Sequence, residues 1–347
     1  MPSTTLQRPD NDGPHPHLVI QKITNGYRIR TLAYLPDGRV VIGAWDRTVR
    51  VLNIEDGTQD GISMEHDAEL YSLAVTQDGS KIISSDMRGT IKVWDVQSHA
   101  PAKAWVERPP NGCPMIAISS NDQLLAVGDW TVLIYTMDGE WLLDQTIEVG
   151  KKVCCMSFSP GGDKFACGTT DGIRVYNLSN GSLVFDPTSY QELTWSLLWS
   201  HDGSRLFSGS HDAAIRCWNY ETGVQIGHPW TGHTDTIDSL CLSPDGSILA
   251  SASSDRTVRF WDTSTVTPIG QPLRHDRRVD EIRFSPSGEF LASVGPDGTL
   301  YLWRVPTMNR PLGRSARPNF NTTLSDLMDQ IEFEYVFSVG LCHGHLI

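Results

Sequence analysis

No apolar run in this chain approaches the roughly 18–20 residues of a membrane span. Its opening, MPSTTLQRPDNDGPHPH, lacks the apolar stretch of a secretory leader. Positive charge is also scarce: 28 Lys and Arg face 41 Asp and Glu, a formal charge of -13 that repels nucleic-acid backbones and acidic membranes. The seven cysteines form no C-x-x-C and no zinc-like spacing. An odd, unpatterned set suits a reducing compartment. These absences predict a soluble intracellular protein, cytoplasmic and/or nuclear, with no cofactor and no direct nucleic-acid, membrane or small-molecule partner. Cys167, Cys217 and Cys241 fall in strand-like runs and are expected as small core residues, whereas the adjacent Cys154 and Cys155 are candidates for redox chemistry.

Sustained helical periodicity is missing as well. What is abundant is turn chemistry: 30 Gly and 20 Pro spread along the chain. A short turn recurs as LPDG ending at Gly38, TQDG at Gly79, SSND at Asp122, SPGG at Gly162, SHDG at Gly203, SPDG at Gly246 and SPSG at Gly288. Successive steps are 41, 43, 40, 41, 43 and 42 residues, a period that marks a repeat architecture. Each copy contains strand-length runs rich in Val, Ile, Ser, Thr and aromatics, bounded by turn residues. Four such strands in about 42 residues make one propeller blade.

The copies carry Trp94–Asp95, Trp261–Asp262 and Gly232–His233, with altered pairs at Trp218, Tyr176 and Trp303. On these residues the chain resembles the WD40-repeat family from about Leu18 to Val305. The resemblance implies an all-β, seven-bladed propeller of four-stranded antiparallel blades, acting as a non-enzymatic scaffold for protein or peptide partners. Pro306 follows the third strand of the last copy at once, and the run His17 to Ile23 has strand length. It is expected to supply the missing fourth strand, so that both ends of the chain clasp one ring. The expected domains are an N-terminal arm over 1–16, the propeller over 17–306 and a tail over 307–347. The tail holds a linker, a short helix near TTLSDLMDQI and a weak metal motif at Cys342, His343 and His345.

His233, Ser251 and Asp255 invite a catalytic-triad reading. The spacing argues against it, because His275, Ser293 and Asp297 repeat the same separations one blade later, each set followed by a tryptophan, Trp261 and Trp303. Two copies in neighbouring blades do not fit one tuned nucleophile. The WD40 resemblance implies a structural tetrad in which Trp, Ser, His and Asp satisfy one another. Blade two has His66, Ser84 and Trp94 but Arg88 where the aspartate is expected, and blade five has Tyr190 in place of the histidine. Only blades six and seven are therefore expected to carry the whole network, leaving the first half of the ring to plain packing.

Function is then expected on the surface. Apolar positions in the first strands skip three residues, as at Ile237/Leu240/Leu242, which breaks the period of two and predicts a β-bulge. The resemblance puts this point on the top face near the central channel. The bulge residues are Arg30, Tyr71, Pro114, Cys154, Trp195, Asp238 and Asp280, with Arg28 and Arg278 two positions upstream of their own. Trp45 and His211 stand beside the next turn. Trp195, Tyr71, Trp45, Arg30, Arg28, His211, Asp238, Asp280 and Arg278 are the candidate partner-binding residues. Two alternatives differ in kind. A ubiquitin-ligase substrate receptor would show Arg two residues after the WD pair, where Gln97 and Ser264 stand. An enzyme or metal site at the channel would need Asp238, Asp280 and Glu281 to converge on a cation.

Overall fold

A computed structural model describes residues 19–24, 26–106, 114–138, 141–186 and 190–306, with backbone only for 19–24 and 104–106. The arm, the tail helix and the Cys342, His343 and His345 motif lie outside these residues.

The recurring turn explains why the chain folds back every few residues. In blade six, Ser243 donates its hydroxyl to Asp245 (2.6 Å) and accepts the Ile248 amide (2.9 Å), while Asp245 accepts the Ser247 amide (3.0 Å). Gly246 closes the turn at a φ of 70°, a left-handed conformation that glycine adopts without a Cβ clash. Flanking strands Ile237–Leu242 and Ile248–Ser253 then pair antiparallel. Two further strands, Thr257–Asp262 and Pro268–Arg274, complete the sheet.

This unit occurs seven times among the described residues as seven four-stranded antiparallel sheets. Six sheets take four consecutive strands. The seventh places Val19–Thr24 beside Thr299–Arg304, paired antiparallel. First strands of successive blades touch all round the ring, blade seven meeting blade one, so they line the axis. The core lies in the seams between sheets. One seam packs Val41, Val49 and Val51 of blade one on Leu70, Leu73, Ile82 and Trp94 of blade two. The closing seam packs Ile29, Leu32 and Ile42 on Ala292, Val294, Leu300 and Leu302. Burying each Val, Leu or Ile among them contributes roughly 1.5–3 kcal/mol.

Candidate functional site

The irregularity expected in the first strands is present in the register. Pairing skips one residue between Ile29 and Thr31, Leu70 and Ser72, Val153 and Cys155, Thr194 and Ser196, and Ile237 and Ser239. The skipped residues are Arg30, Tyr71, Cys154, Trp195 and Asp238. In blade seven the strand begins at Glu281, one residue after Asp280, and in blade three at Met115, one after Pro114. A bulge turns its side chain off the regular alternation. Here the turn is inward: Arg30, Tyr71, Cys154, Trp195, Asp238 and Asp280 all line one axial cavity of about 790 Å³, together with Arg28 and Arg278.

Charge at the mouth of this cavity is paired on one side. The Arg28 guanidinium donates to Asp280 at 2.7 and 3.1 Å and lies 4.4 Å over the Trp45 ring. Arg278 reaches the other Asp280 oxygen at 3.0 Å. Arg30 sits 5.5 Å over the Tyr71 ring. Asp238 accepts the Ser254 hydroxyl at 2.7 Å. Burial pushes its carboxyl up to about 6, and Asp280 adds to the rise, while the Ser254 bond, Arg278 and Arg30 oppose it. Glu281 lines the same cavity, pairs with Arg283 and accepts the Leu32 amide of blade one at 2.9 Å. Each of the three carboxylates expected to converge on a cation thus has a protein partner. No group of three or more metal-ligating side chains occurs among the described residues.

Large apolar side chains crown the same end of the ring. The residues at the tips joining second and third strands include Trp45, Met87 and Trp130 in blades one to three, 43%, 45% and 40% exposed. Later blades carry Thr170, His211 and Ser254 there, and His211 is exposed but stands off the cavity wall. Trp195 is 37% exposed at the mouth. These three tryptophans differ from Trp94, Trp199, Trp218, Trp230, Trp261 and Trp303, which are all buried. Met87 escaped the sequence reading, although it occupies the same repeat position as Trp45. Burial raises the Cys154 thiol to about 11 and Cys155 well above its ordinary value, which disfavours the thiolate that redox exchange uses.

The serine, histidine and aspartate sets are clustered inside the blades. In blade six the Trp261 indole donates to Ser251 (2.9 Å), Ser251 bonds His233 Nε2 (2.7 Å), and His233 Nδ1 bonds Asp255 (2.8 Å). Ser251 is fully buried, His233 and Trp261 nearly so, and the serine oxygen is committed on two sides. In blade seven Trp303 donates to Ser293 (2.7 Å) and Ser293 bonds His275 (3.3 Å). Asp297, however, accepts the Tyr301 hydroxyl (2.8 Å) and the Thr299 amide (3.1 Å). Tyr301 stands where blade six has Arg259 and offers a donor within reach.

Blade two corrects the expectation. Trp94 donates to Ser84 (2.8 Å), Ser84 bonds His66 Nε2 (2.7 Å), and His66 Nδ1 meets Asp86 at 3.3 Å. The carboxylate comes from two residues before Arg88, at the end of the second strand, where it also accepts the Arg88 and Thr90 amides. The network is complete there without an aspartate at the usual spacing. In blade five Tyr190 replaces histidine by packing against Trp218, ring centroids 5.0 Å apart, while Trp218 keeps its bond to Ser208 (2.9 Å).

Comparison with known proteins adds to this geometry. A family model described as "WD domain, G-beta repeat" matches residues 19–53, 61–95, 144–177, 187–219, 224–262 and 267–304. The gap at 96–143 takes in blade three, whose second hairpin is short. The chain is similar to cilia- and flagella-associated protein 52 of Mus musculus, 26% identical over 216 residues, which cover 59% of this chain and 34% of that protein. It is also similar to transcription factor unc-37 of Caenorhabditis elegans, 24% identical over 187 residues, 48% of this chain and 29% of that one. With small ribosomal subunit protein RACK1y of Oryza sativa subsp. japonica it shares 24% over 186 residues, 52% and 43% of the two chains. The match spans less than half the length of each of these relatives.

Proposed function

The chain belongs to the WD40 repeat family, and from that premise we propose that it is a non-enzymatic scaffold that holds protein or peptide partners on its top face, around the channel mouth. The observation that carries this reading is the gathering of bulge residues from six blades around one cavity, with Trp195 and Tyr71 among them. Exposed aromatics beside desolvated charge are the usual anchors of an interface. The diversity of the relatives fits a rigid platform with interchangeable partners, and a fold alone does not choose among them. The boundaries that go with this reading are an arm over 1–16, a propeller over 17–306 and a tail over 307–347. Alanine at Trp195, Tyr71 and Arg30 together should abolish capture of partners in a pull-down while leaving the melting temperature within a few degrees of the parent. Undiminished capture by the triple variant removes the top face as the binding surface.

The same reading gives the N-terminal strand the task of closing the ring. Its antiparallel pairing with Thr299–Arg304 supports this, because an unpaired Thr299–Arg304 edge would invite other strands. Deletion of residues 1–24 is expected to lower the melting temperature by on the order of 10 °C and to promote aggregation. A truncated chain that melts like the parent and stays monodisperse rules the clasp out.

A further inference from the structure

Arginines on the top face fall into two groups. Arg28 and Arg278 are engaged by Asp280. Arg30, Arg256, Arg274 and Arg277, like the exposed tip residues Arg47 and Arg88 of blades one and two, make no side-chain hydrogen bond or ion pair among the described residues. Three of the four are exposed, and Arg30 is half-buried in the cavity wall. They are contiguous through the backbone: the His275 amide donates to the Arg256 carbonyl at 2.9 Å, which sets the blade-six tip against the loop carrying Arg274 and Arg277. Arg277 adjoins Arg278, which lines the cavity with Arg30. Arg256 holds a left-handed φ of 69°, at a tip position where blades two and seven use Gly89 and Gly298 and blades one and five use Arg47 and Ala213 at 69° and 65°.

We infer that this sector, over blades six and seven and inward to Arg30, recognises an extended acidic peptide segment, with carboxylates on Arg256, Arg274 and Arg277 and an acidic side chain entering the cavity at Arg30. The inference rests on the top-face reading and names the chemistry of what binds there. Unpaired guanidiniums present forked donors suited to carboxylates. A peptide fits better than a nucleic acid or an anionic membrane, because the chain's charge of -13 repels an extended polyanion while a short segment feels mainly the local arginines, within a Debye length of ~8 Å.

The test uses the full chain and two fluorescein-labelled twelve-residue peptides, one alternating Glu with Ser around a central Phe, the other with Lys in place of Glu. A single-stranded oligonucleotide of matching charge is the third probe, and binding is read by fluorescence anisotropy. The acidic peptide should bind at least tenfold more tightly than either other probe and weaken with added salt. The combined variant Arg256→Glu, Arg274→Glu, Arg277→Glu should lose that binding roughly a hundredfold with an unchanged melting temperature, and Arg30→Ala alone about tenfold. Absence of acidic-peptide binding, indifference to charge reversal, or preference for the oligonucleotide overturns the inference. The top-face reading fails separately: it stands if the Trp195, Tyr71 and Arg30 variant still abolishes partner capture while charge reversal of the rim does not.

Discussion

Blades two and six build the same four-group network from different sequence positions. Both run from an indole through a buried serine to a histidine at matched distances, with Nε2 to Oγ at 2.7 Å in each. They part at the carboxylate. Asp255 sits in the hairpin turn and also accepts the Thr257 hydroxyl (2.6 Å) and the Thr234 amide (3.0 Å). Asp86 sits at the strand end, fully buried, and meets its histidine at 3.3 Å rather than 2.8 Å. The lesson is that a donor-only indole and a buried imidazole demand partners, whereas the place in the chain that supplies the last one is negotiable. An identical spacing is sufficient for the network but not necessary.

The widest break between the two blades comes from exchanging the residues at issue. Asp86→Ala leaves a buried imidazole without its acceptor and is expected to cost about 2–4 kcal/mol in urea denaturation. Arg88→Ala, at the position where the spacing places the aspartate, should stay within about 0.5 kcal/mol, as for an exposed side chain free of such features. The reverse ranking would mean that Asp86 is a bystander and blade two rests on packing alone.

How far the sequence led can be judged from these residues. The turn period exposed the blade count because serine, aspartate and a left-handed residue make the same local bonds wherever they recur, as at Gly246. Bulges at Arg30, Tyr71, Cys154, Trp195 and Asp238 were legible from a gap of three between apolar positions, a purely local signal. Asp86 was not, because a fixed separation was taken for the network when spatial reach was the true condition. The pairing of Arg28 with Asp280 was invisible for another reason: 252 positions separate them, and only closure of the ring brings them together. Without knowing which arginines are neutralised, the sequence could not tell Arg28 from Arg30, nor point to Arg256, Arg274 and Arg277.

Acid should separate the two blades without any substitution, though by a smaller amount. Burial holds the His66 imidazole below its ordinary value of 6.5, and its bond and charge interaction with Asp86 only partly oppose that. The unfolded chain therefore takes up this proton before the folded one does. Its contribution to stability is full above about pH 6.5 and declines as the pH falls below that. For Asp255, burial pushes up, but the bonds from His233, Thr257 and the Thr234 amide win and hold its carboxyl well below the usual range. The unfolded chain binds that proton only near the ordinary carboxylate value of about 3.9, so its contribution persists down to that pH and is lost below it. Hydrogen exchange between pH 7 and pH 5, corrected for the intrinsic rate, should then show amides of Lys81–Asp86 losing several-fold in protection while those of Ile248–Ser253 hold theirs. Undiminished protection in Lys81–Asp86 at pH 5 would show instead that Asp86, despite the longer 3.3 Å contact, keeps His66 as readily protonated as a free imidazole.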